Sequence, residues 1–164
     1  MNLEIKIKIA EIPKWREKCR RIGAVFELTM KQIDIYFQTG EVKKKIRIID
    51  DRDVEMIEYE RIEKTGRKSS VYTISKMTKC ELEKYQQEHQ EICRIEKTRE
   101  LWRYKHTRIH LDEVKNMGSF MELETVIKDM SEDDGENEFE EVVEKLEIDK
   151  NNSIAGSYSD LLPG

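Results

Sequence analysis

The residues of the segment NLEIKIKI, at positions 2–9, alternate strictly between polar and apolar types. Successive side chains of a β-strand point to opposite faces, so this alternation predicts a strand with one charged face and one apolar face. Related patterns follow in VFELTMKQIDIYF, KKKIRIID, EMIEYERIE, SVYTIS, RIEKTRELWRY, TRIHLDEV and SFMELETVI. The sequence therefore predicts about eight strands, and the mostly short connections favour antiparallel pairing.

Three other segments have helical character. PKWREKCRRIG predicts a helix that begins at Pro13 and ends at Gly23, and KCELEKYQQEHQ predicts a second helix. In SEDDGENEFEEVVEKL, Ser131 is a candidate N-cap, and a buried stripe is predicted at Phe139, Val142, Val143 and Leu146. We also expect a turn at Gly40, a loop at TGRKSS, and a tail, SYSDLL, that folds back on the strands.

The composition limits the classes of protein to consider. Charged residues make up 40% of the 164 residues, yet the net charge is only −5, whereas dedicated nucleic-acid binders usually carry a basic surplus. No apolar run is long enough to span a bilayer and no signal peptide is visible, so we expect a cytoplasmic protein with neither nucleic acid nor membrane as partner. Its three scattered cysteines predict reduced thiols, and its length predicts one domain over residues 1–164.

Charged residues recur at positions i and i+2 along several predicted strands, and therefore share one face. The sets are Glu4 and Lys6; Lys45 and Arg47; Lys97 and Arg99; Arg108, His110 and Asp112; and Glu122 and Glu124. A charged face turned to water is the ordinary interpretation for any single strand. If the sheet instead closes with its apolar face outward under the helices, the charged face becomes the lining of a tunnel.

Such a lining would select its ligand by charge. Cations that share one bore repel each other, and binding a polyanion relieves that repulsion; arginine in particular suits multidentate phosphate binding. Glu122 and Glu124 would also repel each other unless a divalent cation lay between them. Carboxylate and phosphate oxygens are the ligands that Mg²⁺ or Mn²⁺ prefers, so an enclosed lining predicts a metal–polyphosphate complex.

Several segments in the same order resemble the CYTH family, the triphosphate tunnel metalloenzymes. They are NLEIK, QIDIYF, KIR, YER, KTRELW, TRIHLDEVKNMGSFMELETVI and SYSDLL, and they cover essentially the whole chain. The similarity is greatest to the class IV adenylyl cyclase-like branch. It implies an α+β fold, a closed antiparallel β-barrel (tunnel) of about eight strands with flanking helices. It also implies triphosphate substrates such as ATP, tripolyphosphate or thiamine triphosphate, and dependence on Mg²⁺ or Mn²⁺.

The resemblance also implies roles for individual residues. Glu4, Glu122 and Glu124 correspond to the metal-binding acids, with Asp112 in support. The phosphate-binding cations correspond to Lys45, Arg47, Arg61, Lys97, Arg99 and Arg108. Lys6 corresponds to a phosphate contact or a catalytic base, so that Lys6, Arg61 and Asp112 form the implied catalytic set. His89, His106 and His110 are too widely spaced to predict a metal cluster, and we expect them to be structural or surface residues.

Two positions depart from the family pattern. Asn2 replaces the first Glu of the family's E-x-E-x-K signature, which removes a negative charge from the implied metal site. A register shifted to Glu4, Lys6 and Lys8 would instead replace the second Glu. Val71 stands where relatives often carry an Asp, and its presence argues modestly against cyclisation.

Three functions fit this reading of the sequence. The resemblance favours a cyclase that converts ATP to cyclic AMP and pyrophosphate. A triphosphatase, or a binding module that holds nucleotides or polyphosphate without turnover, remains an alternative. A homodimer is plausible. Trp15 and Trp102 are expected to be packing residues.

Overall fold

The computed structural model describes residues 1–38, 43–64 and 67–162, with the side chains of residues 60–70 left undescribed. The strands are β1 (Asn2–Ile9), β2 (Val25–Phe37), β3 (Lys43–Ile49), β4 (Asp53–Lys64), β5 (Arg67–Met77), β6 (Glu91–Tyr104), β7 (Thr107–Val114) and β8 (Gly118–Val126). The α-helices are α1 (Ile12–Arg21), α2 (Lys79–Glu88) and α3 (Glu132–Lys145). Two 3₁₀ turns, Lys150–Asn152 and Tyr158–Leu161, end the described chain.

The strands form one closed antiparallel barrel in the order β1-β5-β4-β3-β2-β6-β7-β8. The first strand closes the barrel, because it pairs with β8 from Asn2 opposite Val126 to Ile9 opposite Ser119, and with β5 at Asn2 opposite Ser70. Closure leaves the sheet with an inner and an outer face. The predicted α+β barrel with flanking helices is therefore confirmed.

The apolar face of the barrel points outward, where helices cover it. The largest buried cluster joins β1, β7 and β8 to α1 and α3, and includes Leu3, Ile5, Ile109, Leu111, Met121, Leu123, Cys19, Phe139, Val142 and Leu146. Removing these apolar side chains from water stabilises the packing of the helices on the barrel. Trp15 and Trp102 belong to the same cluster, as expected for packing residues. Because the apolar positions are used on the outside, the charged positions of the same strands face inward.

The local signals at the helix ends act as predicted. The Ser131 side chain accepts a hydrogen bond from the Asp134 amide at 3.0 Å and caps α3. Gly23 follows α1 with a φ of +85°, a left-handed conformation that favours glycine. All three cysteines are free thiols, and no helix among the described residues is long and apolar enough to cross a membrane.

Two boundary predictions have different outcomes. The loop predicted at TGRKSS is wrong for residues 67–70, which belong to strand β5 and pair with β4, and residues 68–70 pair with β1 as well. The first two residues of that predicted loop lie outside the described residues. Cross-strand pairing overrides the weak turn signal of the two serines in this segment. The turn predicted at Gly40 lies outside the described residues.

The C-terminal segment folds back and covers one end of the barrel, as predicted. The Ile154 amide donates to the Lys6 carbonyl of β1 at 2.8 Å. Farther along, the Tyr158 ring packs edge-on against Phe120, with ring centroids 5.0 Å apart. The tail therefore places the buried Tyr158 at the end of the barrel that it covers.

Candidate active site

A cavity of about 400 Å³ lies inside the barrel. Its lining combines charged and apolar side chains from all eight strands with Ser157 and Tyr158 from the tail. The charged members include Lys6, Lys45, Arg47, Glu55, Lys97, Arg99, Arg108, Glu122 and Glu124. The charges that alternate along the sequence therefore converge around one cavity.

Three carboxylates form a group on two neighbouring strands. Oxygens of Glu4, Glu122 and Glu124 all lie within 4.8 Å of one another, and Glu4 stands directly opposite Glu124 in the β1–β8 pairing. Glu4 and Glu124 are buried, at 3% and 6% exposure. Three ionised acids this close repel each other, and a divalent cation with oxygen ligands would relieve that repulsion. The donor set therefore fits Mg²⁺ or Mn²⁺.

Neighbouring side chains orient these acids. Lys6 Nζ lies 3.6 Å from Glu122 Oε2, and the Tyr72 hydroxyl donates to Glu4 at 2.9 Å. Arg108 pairs with Glu124. Burial alone would raise the pKa of Glu122, but the nearby Lys6, His110 and Arg99 hold it well below its usual value. Glu122 is thus ionised at neutral pH, as metal binding requires.

A cluster of cations surrounds one buried aspartate. Asp34 is fully buried and accepts from Arg47 at 2.7 and 2.9 Å, from Lys45 at 3.1 Å and from Lys97 at 2.7 Å. Burial would raise the pKa of Asp34, but the three cations together lower it well below its usual value. Sharing one carboxylate leaves this cluster with surplus positive charge, which suits a bound polyanion.

The lysines of this cluster lose protons more readily than free lysines. Burial lowers the pKa of Lys45 to about 8, although Asp34 opposes the shift. Burial also lowers the pKa of Lys97 well below its usual value, and the neighbouring Arg47 and Arg99 add to that effect. The charge of the cluster therefore depends on pH near the physiological range.

A second ion pair connects the lining to the tail. Arg99 donates to both oxygens of Asp112 at 2.8 Å, and the Tyr158 hydroxyl donates to Asp112 at 2.7 Å. Burial would raise the pKa of Asp112, but Arg99 lowers it to about 2. The Tyr158 ring also lies 3.9 Å from the Lys6 ammonium. Tyr158 therefore contacts two of the residues that the sequence predicted for the site.

Apolar side chains line the end of the cavity away from Tyr158, next to the Asn2 amide. We define the apolar mouth as Met30, Ile49, Ile74, Leu101 and Val126, all of which line the cavity. Val126 stands opposite Asn2, four residues from Lys6 along β1, which corresponds to roughly 13 Å at the usual strand rise. Ile74 is 59% exposed. The cavity thus has a charged centre and one apolar, accessible end.

Three atoms in the lining lack partners among the described residues. Arg108 Nε, Gln32 Oε1 and the Tyr36 hydroxyl oxygen are all buried, and none has a hydrogen-bond partner there. Buried polar atoms are normally satisfied, so unsatisfied ones in a cavity indicate a ligand or ordered solvent. Arg108 thus keeps an unused donor that a phosphate oxygen could accept.

The structure places the two residues that depart from the family pattern, Asn2 and Val71, on opposite sides of the barrel wall. Asn2 is buried and lines the cavity on the same face of β1 as Glu4 and Lys6, whereas Lys8 is exposed. This arrangement favours the unshifted register. Val71 is 51% exposed, and the adjacent Tyr72 lines the cavity, so position 71 faces outward. An Asp at that position would not face the cavity in this register.

The structure brings most of the predicted residues together, each on the inner face. Lys6, Lys45, Arg47, Lys97, Arg99, Arg108, Glu122 and Glu124 line the cavity, and Glu4 joins the carboxylate group. Asp112 accepts hydrogen bonds from Arg99 and does not belong to the carboxylate group. The side chain of Arg61 lies outside the described residues. The roles predicted for all these residues remain predictions.

Sequence reasoning missed several residues of this site, including Glu55 and Tyr72 of the lining, and three others have contacts with predicted site residues. Asp34 alternates with the apolar positions of QIDIYF, but its position in one strand does not reveal its three cationic partners. His110 was expected to be structural, and it lies 3.2 Å from Glu122. Tyr158 was assigned only to the tail. The i and i+2 pattern already contained His110, so a face-by-face comparison could have identified it.

Comparisons with known proteins identify the family and the fold. The family model described as the CYTH domain matches residues 1–158. A protein of Methanocaldococcus jannaschii, named a candidate adenylate cyclase, is 30% identical over an alignment of 172 positions that covers 98% of each chain. A solved structure from Pyrococcus horikoshii has a TM-score of 0.87 at 17% identity, covering 99% of this chain and 100% of that one.

A more distant solved structure comes from Hippeastrum. That protein is named a candidate adenylyl cyclase with a dominant triphosphatase activity, and it has a TM-score of 0.62 at 12% identity, covering 90% of this chain and 89% of that one. At this identity the likeness concerns the fold alone. The family match over nearly the whole chain, with the 30% identical relative, shows that this protein belongs to the CYTH domain family.

Proposed function

We propose that this protein is a divalent-metal-dependent enzyme that acts on organic triphosphates, with cyclisation of ATP to cyclic AMP and pyrophosphate as the first candidate reaction. The observation that carries the proposal is the shared cavity, in which Glu122 and Glu124 of the three-carboxylate group face the same space as the cation cluster. One part is suited to Mg²⁺ or Mn²⁺ and the other to phosphate oxygens. A triphosphate bound to a metal ion needs both.

The proposed roles follow from the contacts. Glu4, Glu122 and Glu124 would hold the metal, which when bound neutralises charge on the phosphate oxygens. The phosphate-binding residues would be Lys45, Arg47, Lys97, Arg99 and Arg108, with Arg61 proposed on the family resemblance alone. Asp112 would position Arg99. Lys6 lies between the Glu122 carboxylate and the face of Tyr158, a setting that suits a charged ammonium and supports a phosphate contact over a base.

In the cyclase reaction, the ribose 3′-oxygen forms a bond to the α-phosphorus as its proton passes to solvent, and the bond from the α-phosphorus to the pyrophosphate oxygen breaks. Negative charge accumulates on the departing pyrophosphate. The fixed cations of the lining stabilise that charge without having to reorganise, which is the usual source of rate enhancement in phosphoryl transfer. The protein's own contribution is therefore orientation and electrostatics.

The apolar mouth supports an organic substrate over inorganic tripolyphosphate. A triphosphate bound along the charged centre would place its remaining group beside Met30, Leu101 and the accessible Ile74. Burying a base or similar ring against these side chains is favourable, whereas tripolyphosphate would leave them in contact with water. The name of the Methanocaldococcus jannaschii relative is consistent with ATP as the substrate.

Triphosphate hydrolysis is the second candidate. The same lining would stabilise attack by water on the terminal phosphorus, and the Hippeastrum protein is named for a dominant triphosphatase activity. Asn2 brings no negative charge to the metal site, which keeps a third candidate, binding without turnover, in consideration.

Incubation with ATP and Mn²⁺ separates these candidates. Cyclic AMP with pyrophosphate supports the cyclase, orthophosphate supports the hydrolase, and tight binding without product supports a binding module. Arg47→Ala is expected to lower turnover by roughly 100-fold, because it removes a fixed positive charge from the lining that would stabilise the charge on the phosphates. Arg52→Ala is the matched control, since Arg52 is largely exposed outside the lining. Unchanged turnover in Arg47→Ala, or no nucleotide binding at all, would contradict the proposal.

The pH dependence of nucleotide binding provides a further prediction. The pKa of Lys45 is about 8 and that of Lys97 is also lowered, so the cluster loses positive charge as pH rises. Affinity for ATP without metal should therefore fall above about pH 8, by up to about tenfold per pH unit for each linked proton. Calorimetry between pH 7.5 and 9.5 measures this slope, over a range in which the ATP phosphates are already ionised. Lys45→Arg should flatten it, and an equally steep slope in that variant would exclude Lys45 as its source.

A further inference from the structure

His110 occupies the inner face of β7, directly opposite Glu122 on β8. The residue is 7% exposed and lines the cavity, and its Nδ1 lies 3.2 Å from Glu122 Oε1. An ionised carboxylate can only accept a hydrogen bond, so Nδ1 is the donor in this contact. The contact therefore specifies which imidazole nitrogen carries a proton.

Both oxygens of Glu122 have a neighbour that favours one orientation. His110 contacts Oε1, and the Lys6 ammonium lies 3.6 Å from Oε2. With neighbours on both sides, the carboxylate has little freedom to rotate away from Glu4 and Glu124. Preorganising a ligand in this way reduces the cost of ordering it when a cation binds.

His110 itself is not a member of the carboxylate group. Among the described residues, the group of three ligand atoms that all lie within 4.8 Å of one another comes from Glu4, Glu122 and Glu124, and His110 approaches only Glu122 of that group. The imidazole therefore acts on the group through Glu122. Partners of this kind orient metal ligands, and their loss typically costs about 10- to 100-fold in metal affinity.

We propose that His110 is a positioning residue of the metal site, in which its Nδ1–H holds the Glu122 carboxylate towards a divalent cation. This inference rests on the proposed function only in so far as the carboxylate group binds a metal. It assigns a role to a residue expected to be structural, and it concerns metal affinity before any substrate is present.

The test is calorimetric titration of the full chain with Mn²⁺ in the absence of nucleotide. His110→Leu removes the donor and should weaken Mn²⁺ binding at least about tenfold. His110→Asn places an amide nitrogen near the position of Nδ1 and should stay within about threefold of the native affinity. His110→Gln places its amide group closer to the position of Nε2, so it also lacks a donor at the position of Nδ1. This variant tests the loss of the donor if the leucine variant does not fold.

A matched control is available elsewhere in the chain. His106 Nδ1 lies 3.0 Å from Glu138 Oε1, so it forms a comparable histidine–glutamate contact away from the carboxylate group. His106→Leu should leave the Mn²⁺ affinity unchanged. This control separates the effect of losing a histidine–carboxylate contact in general from the effect of losing this one.

The outcomes distinguish the inference from the proposed function. Native Mn²⁺ affinity in a folded His110→Leu or His110→Gln variant overturns the positioning role, even if the enzyme turns over ATP. Failure of the native protein to bind Mn²⁺ overturns the metal site and the positioning role together. Mn²⁺ binding that is weakened in both variants, without any reaction of ATP, supports the positioning role while the proposed enzymatic function fails.

Discussion

Asp34→Asn is expected to lower the free energy of unfolding by about 3–5 kcal/mol at pH 7, the usual cost of leaving buried charges without their partner. Asp34 is fully buried and is bonded to Lys45, Arg47 and Lys97. Asparagine keeps the size of the side chain but removes the negative charge, so three cations would face each other inside the barrel. Chemical denaturation of the native protein and the variant measures the difference.

The pH dependence of this loss has a defined sign. The pKa of Asp34 is lowered in the folded protein, so its contribution is present above the unfolded value, near 4, and is lost as pH falls through the folded pKa. In the variant, Lys45 and Lys97 can release protons, because burial lowers their pKa values. The stability of Asp34→Asn should therefore rise with pH and move closer to that of the native protein up to about pH 8, above which Lys45 also loses its proton in the native protein and both rise together.

Two comparisons test whether charge is the cause. Asp53→Asn removes an exposed carboxylate, 59% accessible and 3.4 Å from Arg52, and should change stability by less than about 1 kcal/mol. Tripolyphosphate should restore part of the stability of Asp34→Asn, since it supplies negative charge to the same cations. A variant as stable as the native protein at pH 7 would show that the cluster does not depend on Asp34.

The strands and their two faces were predictable because each is specified locally. Alternation in NLEIKIKI places Leu3 and Ile5 on one face and Glu4 and Lys6 on the other, whatever the strand pairs with. Helix signals are local as well, which is why the cap at Ser131 was identified. Closure of the barrel is not local, since it depends on β1 pairing with both β5 and β8. That expectation came from the family resemblance and from the need to bury the apolar face.

The internal partners of the site residues could not be read from the sequence. Asp34 is 63 residues from Lys97, and no pattern within one strand indicates that these side chains meet. The separation of Asp112 and Tyr158 is 46 residues, and their contact depends on how the tail crosses the end of the barrel. The sequence thus predicted which residues face the inside of the barrel. It could not predict which of them pair, because pairing depends on the register of several strands in three dimensions.

Glu122→Gln is expected to lower metal-dependent turnover of ATP by about 10²- to 10³-fold, comparable to the loss of a preorganised charge-stabilising group in other enzymes. Glutamine preserves the shape and can still accept from His110, but it brings no negative charge to the carboxylate group. The affinity for Mn²⁺ should fall with the activity. Both losses can be measured from the rate of cyclic AMP or orthophosphate formation at a series of Mn²⁺ concentrations.

Glu113→Gln is the matched control, because Glu113 lies on the neighbouring strand β7 but is exposed and accepts from Ser119. It should leave both turnover and Mn²⁺ affinity unchanged. If Glu122→Gln loses activity only because metal binding is weaker, excess Mn²⁺ should recover much of it, whereas a loss that persists at saturation indicates that the carboxylate also orients the reacting complex. A folded variant with native turnover at all Mn²⁺ concentrations would show that Glu122 serves only to balance the charge of Lys6.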